Sequence, residues 1–498
     1  PPNHPRPSHH LTIIPIHNLI SLEILHITQR KQCGCTAQFL PFKIPPNKHL
    51  RTEKAKGLRD VTRESHDTRS ENKTLDDPTT LCSSSSLCAK MFPQVFRFLP
   101  KSAGAQRFLR CFSSDPGMYS DLVQPLAGVT VVALEQAVAA PYVTSRLADS
   151  GARVIKIERN DDKGDFARGY DQFAGGLSSY FVWLNRGKES IQLDLKCKED
   201  LELLENIVSS ADVFVQNFAP GATDRMGFGS KTLQERYPRL ITVDISGYGN
   251  ADESLQHRKA YDMLVQAESG LSDISGVDGI PSRVGVSICD ICCGMYAHAG
   301  VLEALASREK TGKGVAIEVS LFSAIADWLT VPLSHFEHDQ VGPSGIGLNH
   351  PSVHPYGVYG TKGGDRILIA VQNEREFESL CNEVLERPDL PSDPLFSNNV
   401  NRCANRGALD KIISGNFSDW NIEDLISKLE EANIAFANVN GMKGLSAHQA
   451  LEKVDVNTEK GVRTVVAPAV KFNGKHRPLR RVPALGEHSK GIREEFSR

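Results

Sequence analysis

The chain has 498 residues, a hydrophobic content of 40% and a formal net charge of -3. This length predicts more than one packed unit, because domains usually hold roughly 100 to 200 residues. The charge excludes a global basic surface for nucleic acid, and no run of about 18 apolar residues predicts a membrane span. Eleven cysteines follow no disulfide or metal-site spacing, which favours a reduced compartment and no metal site.

The first 90 residues differ from the rest in composition. They are rich in His, Pro and Ser, and the first methionine is Met91. Such a composition predicts disorder. The interpretation we favour is that this stretch is untranslated upstream sequence read as protein and not part of the working protein, and the alternative is a genuine long leader.

Residues 91–113 have the charge pattern of a mitochondrial transit peptide. Basic residues are interleaved with Phe and Leu, and no acidic residue precedes Asp115. Mitochondrial import requires a basic, amphipathic leader. We therefore expect processing near Ser113 and a location in the mitochondrial matrix, with an ordinary basic tail as the alternative.

From residue 120 onward, strand patterns alternate with helix patterns. Short β-branched runs predict strands at residues 128–134, 153–157, 190–195, 213–216, 240–246 and 315–319. Periodic apolar residues predict helices at 141–150, 200–210, 290–308 and one that continues from the last strand to about 333. The alternation predicts an α/β fold with a mainly parallel sheet, whose ligands bind at the carboxyl ends of the strands.

A second, smaller unit is expected after a stretch rich in Gly, Pro and His at 337–355. It combines a hairpin about Gly363-Gly364 with helices at 374–386, 406–413 and 421–432, and residues 464–470 look strand-like. We expect a large domain at 120–335, a linker and small domain at 336–455, and a C-terminal segment, 456–498, that returns to the large domain.

Asp290 stands among apolar and small residues in SICDICCGMYAHAG, at the start of a predicted helix. One interpretation is a helix N-cap, for which Asp is a favoured residue. The other is a nucleophile, a desolvated carboxylate held in place by backbone donors. The local sequence favours the cap and does not decide between them.

The region from Leu126 to Ser489 resembles the family III CoA-transferases. The segments that carry the resemblance, all in one order, are LEQAVAAPYVTSRLADSGARVIKIER, GDFARG, YFVWLNRGKESIQLDL, VQNFAPGATDRMGFG, DISGYG, AYDMLVQAESGL, CDICCGMYA, KTGKGVAIEVSL and PALGEHS. The resemblance implies a Rossmann-like large domain, a smaller α/β domain and two subunits interlocked as a homodimer. It also implies CoA and acyl-CoA as substrates, with no permanently bound cofactor.

The resemblance places the acylated carboxylate at Asp290, supported by Tyr261 and by a glycine loop that includes Gly345 and Gly347. Attack of this carboxylate on a thioester would give a mixed anhydride and then an aspartyl-CoA thioester. The CoA contacts implied by the resemblance are Arg159, Leu193, Lys196, Asn217, Phe218, Arg225, Met226 and Lys259. Val138 stands where one branch of the family has a glutamine, so that polar contact is missing.

Several alternatives stay open at this point. The segments are closest to a dicarboxylate branch of the family, with succinyl-CoA or acetyl-CoA as the donor. An α-methylacyl-CoA racemase is less favoured because racemases of the family have His where this chain has Tyr261, and a catalytically silent CoA-binding protein would not need a nucleophile. The pair Cys289 and Cys292 is interpreted as small buried residues. His350 and His354 either contact an acceptor carboxylate or have no role.

Overall fold

The computed structural model describes residues 124–256 and 258–497, so the predictions for residues 1–113 lie outside the described residues. One sheet is entirely parallel and consists of β1 (Thr130–Leu134), β2 (Arg153–Arg159), β3 (Lys188–Leu193), β4 (Val213–Gln216), β5 (Ile241–Ser246) and β6 (Ala316–Ser320). The strand order is β3-β2-β1-β4-β5-β6. This is a Rossmann-like order. The predicted α/β fold is confirmed, and the predicted strands agree with the observed ones to within two residues at each end.

Helices cover both faces of this sheet. They are α1 (Ala139–Asp149), α2 (Ser179–Leu184), α3 (Lys198–Ser209), α4 (Ala222–Arg225), α5 (Ser230–Arg236), α6 (Glu253–Gln256), α7 (Asp262–Glu268), α8 (Leu271–Ile274), α9 (Ile288–Thr311), α10 (Leu321–Trp328) and α11 (Thr330–Asp339), and a 3-10 turn spans Phe166–Gly169. Successive residues of β1 enter different cores, because side chains of a strand point to opposite faces. Val131 and Ala133 pack in the core that contains α1 and α9, whereas Val132 and Leu134 pack in the core that contains α3. A central strand buried on both faces is apolar throughout for this reason.

The predicted helix that continues from the last strand to about residue 333 is wrong in its extent. The structure has two helices, α10 and α11, which meet at Leu329, and the second continues to residue 339. Pro332 lies in the first turn of α11, where its missing N–H removes no hydrogen bond. In the middle of one continuous helix it would remove a hydrogen bond and clash with the preceding turn. The proline therefore fits two helices and not one.

A second sheet is antiparallel and consists of β7 (Tyr356–Gly360), β8 (Arg366–Ala370) and β9 (Ala435–Asn438). The helices beside it are α12 (Glu374–Ser379), α13 (Asn399–Ala404), α14 (Arg406–Phe417), α15 (Ile422–Glu431) and α16 (Met442–Ala447), with a π-helical turn at Leu380–Val384 and a 3-10 turn at Leu390–Ser392. The hairpin predicted about Gly363-Gly364 is confirmed as β7–β8. This unit has its own apolar core, in which Phe377, Leu409 and Phe417 are buried.

The C-terminal residues contact the large sheet again. β10 (Lys453–Thr458) and β11 (Gly461–Val466) form a hairpin, and α17 (Ser489–Phe496) packs on β3 and α3 with Ile492 in their core. The strand expected at 464–470 ends at residue 466, shortly before Pro468, because proline cannot donate to a strand ladder. A domain boundary at residue 456 would cut the β10–β11 hairpin. The division into domains stays a prediction, and its last boundary fits better before residue 453.

Within the described chain, α9 is long and apolar enough to cross a bilayer by length and composition, with a mean hydropathy of 1.3 over its most apolar window. It packs against α1, α10 and β6, and its residues Cys289, Cys293, Ala297 and Val301 are buried in the core of the large sheet. The central helix of an α/β core has the same composition as a membrane span. The property is therefore weak evidence for a membrane.

Candidate active site

Asp290 lies in the first turn of α9. The N-cap position is occupied by Ser287 and not by Asp290, so the capping interpretation of Asp290 is wrong. The backbone N–H of Cys289 donates to one carboxylate oxygen of Asp262 at 2.8 Å, and the side-chain amide of Gln266 donates to the other at 2.7 Å. Asp262 thereby fixes the first turn of α9 against the first turn of α7.

The pKa of Asp290 is raised from 3.8 to about 7. Burial is the larger cause, because it disfavours the charged form, and the negative charge of Asp262 adds to it. The N-terminal end of a helix favours an anion, so the site still accommodates the carboxylate. A buried carboxyl group that ionises near neutral pH is a candidate for covalent catalysis, since its ionised form is a stronger base than an ordinary aspartate.

A close contact between two helices determines where Asp290 lies. Gly294 is four residues after Asp290, so the two residues share one face of α9. A Cβ atom at Gly294 would lie 2.9 Å from Cδ1 of Tyr142 and 3.0 Å from the carbonyl oxygen of Ala139, both on α1. The glycine lets the first turn of α1 approach this face of α9. Asp290 therefore lies beside the turn between β1 and α1, at the carboxyl end of the sheet.

Three tyrosines, Tyr170, Tyr180 and Tyr261, lie close to one another, and the first of them lies within electrostatic range of Asp290. Burial, followed by the negative charges of Asp165 and Asp290, raises the pKa of Tyr170 to about 12, and Tyr261 and Tyr180 also contribute. The rings of Tyr170 and Tyr180 meet edge to face, with their centroids 5.5 Å apart. Tyr261 is 59% exposed and Tyr170 45% exposed. The structure thus links the predicted Tyr261 to Asp290 through Tyr170 and adds two aromatic residues that were missed; Tyr180 begins one of the segments that carry the family resemblance, and Tyr170 directly follows another.

The strand order reverses direction between β1 and β4, the place where ligands of open α/β sheets usually bind. Asn217 directly follows β4, and its side chain joins the two strand ends. Its amide oxygen accepts from the backbone N–H of Gln136 at 2.9 Å, and its amide nitrogen donates to the Gln136 carbonyl at 2.8 Å. Asn217, predicted as a CoA contact, therefore holds the turn after β1 in place.

The predicted cationic CoA contacts are exposed at the same edge of the sheet. Arg159 is the last residue of β2, and its side chain is 50% exposed while it donates to the Gly164 carbonyl at 2.9 Å. Lys196 follows β3, Arg225 ends α4 after β4, and Lys259 follows β5, and all three are exposed. Positive side chains along the carboxyl edge suit a polyanionic ligand.

The predicted apolar CoA contacts are less accessible. Leu193 is 1% exposed in the core beside α3, so any contact with CoA would come from its backbone. Phe218 and Met226 are partly buried and pack against that core. Val138 is 3% exposed at the N-cap position of α1, where its side chain makes no hydrogen bond.

The glycine loop lies on the segment after α8. The backbone N–H of Gly345 donates to the Asp273 carbonyl at 3.0 Å, and that of Gly347 donates to the Gly276 carbonyl at 2.9 Å. Both glycines have positive φ, +60° and +56°, which disfavours other residues there. The hydrogen bonds of these two glycines go to this segment and not to Asp290, so closure over Asp290 stays a prediction.

The two loop histidines differ in their surroundings. His350 is partly exposed and stacks on Tyr356, with ring centroids 5.2 Å apart. His354 is fully buried, and its Nδ1 lies 2.9 Å from the Arg406 guanidinium. Burial, with the charges of Arg406 and Arg402, lowers the pKa of His354 to about 3. A neutral, buried His354 cannot contact an acceptor carboxylate, so that possibility is wrong for His354 and stays open for His350.

The cysteines next to Asp290 are free and buried. Burial raises the pKa of Cys289 and Cys293 above the usual range and that of Cys292 to about 12. Thiols of this kind stay protonated and unreactive near neutral pH. This fits the interpretation of Cys289 and Cys292 as small core residues.

A cavity of about 730 Å³ lies at the carboxyl ends of β4, β5 and β6, but its lining does not include Asp290. The residues around it include several acidic side chains, among them Asp244, Glu318 and Asp327, and only one basic side chain, Lys231. A polyanion such as CoA would be repelled there. The cavity is therefore not assigned to CoA.

Known proteins resemble this chain over nearly the whole described region. The model of CoA-transferase family III matches residues 126–489. An acetyl-CoA:oxalate CoA-transferase of Acetobacter aceti is 34% identical over 75% of this chain and 96% of its own length. The succinyl-CoA:glutarate CoA-transferase of Homo sapiens is 31% identical over 76% of this chain and 87% of its own length. A crystal structure of a CAIB/BAIF family protein from Brucella suis superposes with a TM-score of 0.64 at 31% identity, covering 75% of this chain and 99% of that one. Since the match includes both sheets and the helix with Asp290, the chain belongs to CoA-transferase family III and is a CoA-transferase.

Proposed function

We propose that the protein transfers CoA from succinyl-CoA or acetyl-CoA to a dicarboxylic acid, with Asp290 as the carboxylate that is transiently acylated. The observation that carries this proposal is the position of Asp290, a partly buried carboxyl group in the first turn of α9 whose pKa is raised to about 7. The relatives named for oxalate, glutarate and mesaconate support a dicarboxylate acceptor.

The transfer proceeds in balanced half-steps. The Asp290 carboxylate attacks the donor thioester carbonyl, which releases CoA thiolate and leaves a mixed anhydride. The thiolate then attacks the Asp290 carbonyl of that anhydride, so that the donor acid leaves and an aspartyl-CoA thioester remains. The acceptor carboxylate attacks this thioester to form a second anhydride, and the returning thiolate attacks the acceptor carbonyl, which releases the new acyl-CoA and free Asp290.

The surroundings of Asp290 suit these steps. The N-terminal N–H groups of α9 favour the negative charge that develops on the carbonyl oxygens. Tyr261 and Tyr170 form an aromatic wall that limits the access of water to the anhydride. Gly345 and Gly347 complete this exclusion if the loop moves over the site when substrate binds, as the family resemblance implies.

CoA binds along the carboxyl edge of the large sheet in this proposal. Arg159, Lys196, Arg225 and Lys259 attract its phosphate groups, because each is an exposed cation at that edge. The pantetheine arm passes the strand reversal at Asn217 and reaches Asp290 beside the turn after β1. CoA and acyl-CoA act as substrates, and the reaction needs no permanently bound cofactor.

We also infer a homodimer and a mitochondrial location. The outer surface of α10 and α11 exposes Trp328, Val331, Leu333 and Phe336 by 46% to 62%, an apolar surface of the kind that a second subunit covers. An interlocked dimer would make folding inseparable from dimerisation, so light scattering should find no folded monomer at any concentration. The transit peptide at 91–113 is supported by its charge pattern alone.

The decisive experiment mixes the full chain with succinyl-CoA or acetyl-CoA and a panel of dicarboxylic acids, and follows both acyl-CoA products and hydroxylamine-trapped Asp290 by mass spectrometry. New acyl-CoA together with trapping at Asp290 is expected. Asp290→Asn should abolish transfer and keep CoA binding, whereas the control Glu253→Gln, at an exposed carboxylate of α6, should transfer normally. Full turnover in Asp290→Asn would refute the nucleophile, and α-proton exchange without transfer would indicate a racemase.

A further inference from the structure

Four ionisable side chains lie fully buried between the end of β1, the middle of β2 and the start of β3. Glu135 follows β1, Lys156 lies in β2, Lys188 begins β3 and Asp165 lies in the loop after β2, and each side chain is 0% exposed. Lys188 lies 2.6 Å from Glu135, Glu135 lies 3.3 Å from Lys156, and Lys156 lies 2.8 Å from Asp165. We call these four residues the buried ion cluster.

Two members of the buried ion cluster, Glu135 and Lys156, keep their charge in spite of their burial, whereas burial lowers the pKa of Lys188 to about 8. Burial opposes the ionisation of Glu135, but the charges of Lys156 and Lys188 outweigh it and hold the pKa of Glu135 below its usual value. Burial likewise opposes the charge on Lys156, and the negative charges of Asp165 and Glu135 outweigh it and raise the pKa of Lys156. Charges are costly to bury, and apolar residues of equal volume often stabilise a fold as well or better. Stability alone therefore does not explain the cluster.

The cluster is attached to the backbone beside Asp290. One carboxylate oxygen of Asp165 accepts from the backbone N–H of Ala137 at 3.2 Å and from that of Ala167 at 2.9 Å, while the other pairs with Lys156. Ala137 belongs to the turn between β1 and α1, and Ala167 belongs to the 3-10 turn that leads to Tyr170. Asp165 thus joins the turn that leads into α1, which packs on α9, to the turn that leads to Tyr170, whose pKa responds to the charge of Asp290.

The turn between β1 and α1 needs such support. Ala137 has φ of +65°, a left-handed conformation that is unfavourable for alanine and persists only where neighbouring contacts hold it. The same turn continues into α1, whose first turn meets α9 at Gly294, one helical turn after Asp290. A shift of this turn would therefore change the space around the Asp290 carboxylate.

We propose that the buried ion cluster is a positioning device for CoA transfer, in which Asp165, held by Lys156, fixes both the turn after β1, which leads into the helix packed on α9, and the turn before Tyr170. This inference rests on the proposed function. The cluster residues are positioning residues, because their buried side chains cannot touch a substrate.

The first test is the kinetics of Asp165→Asn and Lys156→Met in the full chain, with succinyl-CoA and glutarate as substrates. A misplacement of about 1 Å can lower a rate by about 100-fold, so we expect kcat to fall between about 10-fold and about 100-fold. KM for succinyl-CoA should change by less than about 3-fold, because the exposed cations of the CoA edge are untouched.

The matched control is Asp149→Asn. Asp149 pairs with Arg186 at 2.6 Å, and both side chains are largely buried at the far end of α1, away from Asp290. Asp149→Asn should lower the melting temperature about as much as Asp165→Asn and leave kcat unchanged. An equal fall of kcat in both variants would reduce the cluster to a purely structural role and overturn the proposal.

A rescue experiment keeps the proposal falsifiable if Lys156→Met fails to fold. Glycine adopts positive φ without strain, so adding Ala137→Gly to Asp165→Asn should recover kcat several-fold over Asp165→Asn alone. A kcat of Asp165→Asn within about 2-fold of the wild type, or no recovery on adding Ala137→Gly, would contradict the proposal. A wild-type chain that transfers no CoA would instead refute the proposed function itself, so the two failures are distinguishable.

Discussion

Replacing Asp262 with Asn should shift the pH dependence of transfer to lower pH. The pKa of Asp290 is raised from 3.8 to about 7, a rise of about 3 units (7 − 3.8), and burial is the larger of its two causes. The charge of Asp262 therefore contributes at most about half of the rise, about 1.5 units. Without that charge, the pKa of Asp290 should lie between about 5.5 and about 7.

The shift has a measurable effect on rate, because only the carboxylate form of Asp290 attacks the thioester. At pH 6 a carboxyl group of pKa 7 is about 9% ionised and one of pKa 5.5 about 76% ionised, so the fraction of active enzyme rises by up to about 8-fold. Above about pH 8.5 both forms are ionised and the difference vanishes. The plateau rate should fall, because an amide at Asp262 cannot accept from both Cys289 and Gln266 as the carboxylate does.

The assay is kcat/KM for succinyl-CoA between about pH 5.5 and about pH 9, with product acyl-CoA measured by chromatography. The readout is the pH at the midpoint of the profile, not the plateau value of kcat/KM. Glu253→Gln is the control, since it removes an exposed carboxylate from the first turn of another helix, α6, and should leave the midpoint unchanged. A midpoint in Asp262→Asn that stays in place or moves to higher pH would refute this explanation of the pKa of Asp290.

Three further predictions concern stability. Gly294→Ala should lower the free energy of unfolding by about 1 to 3 kcal/mol in urea denaturation, because the added Cβ would lie 2.9 Å from Tyr142. Gly300→Ala on the same helix is the control. Its Cβ would meet no atom closer than 3.4 Å, so the change should be neutral or stabilising. Asn217→Ala should cost about 1 to 3 kcal/mol, since two backbone groups lose their partners. The raised pKa of Asp290 keeps a proton on the folded state that the unfolded state releases above 3.8, so Asp290 contributes stability that is lost as pH rises from about 4 to about 7, and the melting temperature of Asp290→Asn should rise relative to that of the wild type over this interval.

The large sheet was predictable because its strands are short runs rich in β-branched residues, and the central strands are almost wholly apolar since they are buried on both faces. The break at Leu329 was missed although Pro332 was visible. Its meaning depends on whether proline falls in the first turn of a helix or further along, which periodicity alone does not reveal. The hairpin about Gly363-Gly364 needed only local turn chemistry and was predicted correctly.

The site was predictable only in part, because its properties come from distant segments. The local sequence around Asp290 favours a cap, and the correction depends on Ser287 taking the N-cap position. The raised pKa depends on Asp262, which lies on another helix. The buried ion cluster joins residues of two strands, the turn after β1 and a loop, and nothing in the sequence around Lys156 marks it as fully buried.

The two causes of the raised pKa also explain why Asp290 should be acylated readily. Ionised Asp290 is unfavourable because it is buried and because Asp262 repels it. Attack on a thioester transfers that negative charge to the departing CoA thiolate and leaves an uncharged acyl group on Asp290. The same burial and repulsion that disfavour the free carboxylate therefore favour the acylated enzyme. An arginine paired with ionised Asp290 would stabilise the free carboxylate instead and would slow the attack on the thioester. The first turn of α9 offers backbone N–H groups and no cationic side chain to Asp290. The protonated and ionised forms of Asp290 are therefore both populated near neutral pH.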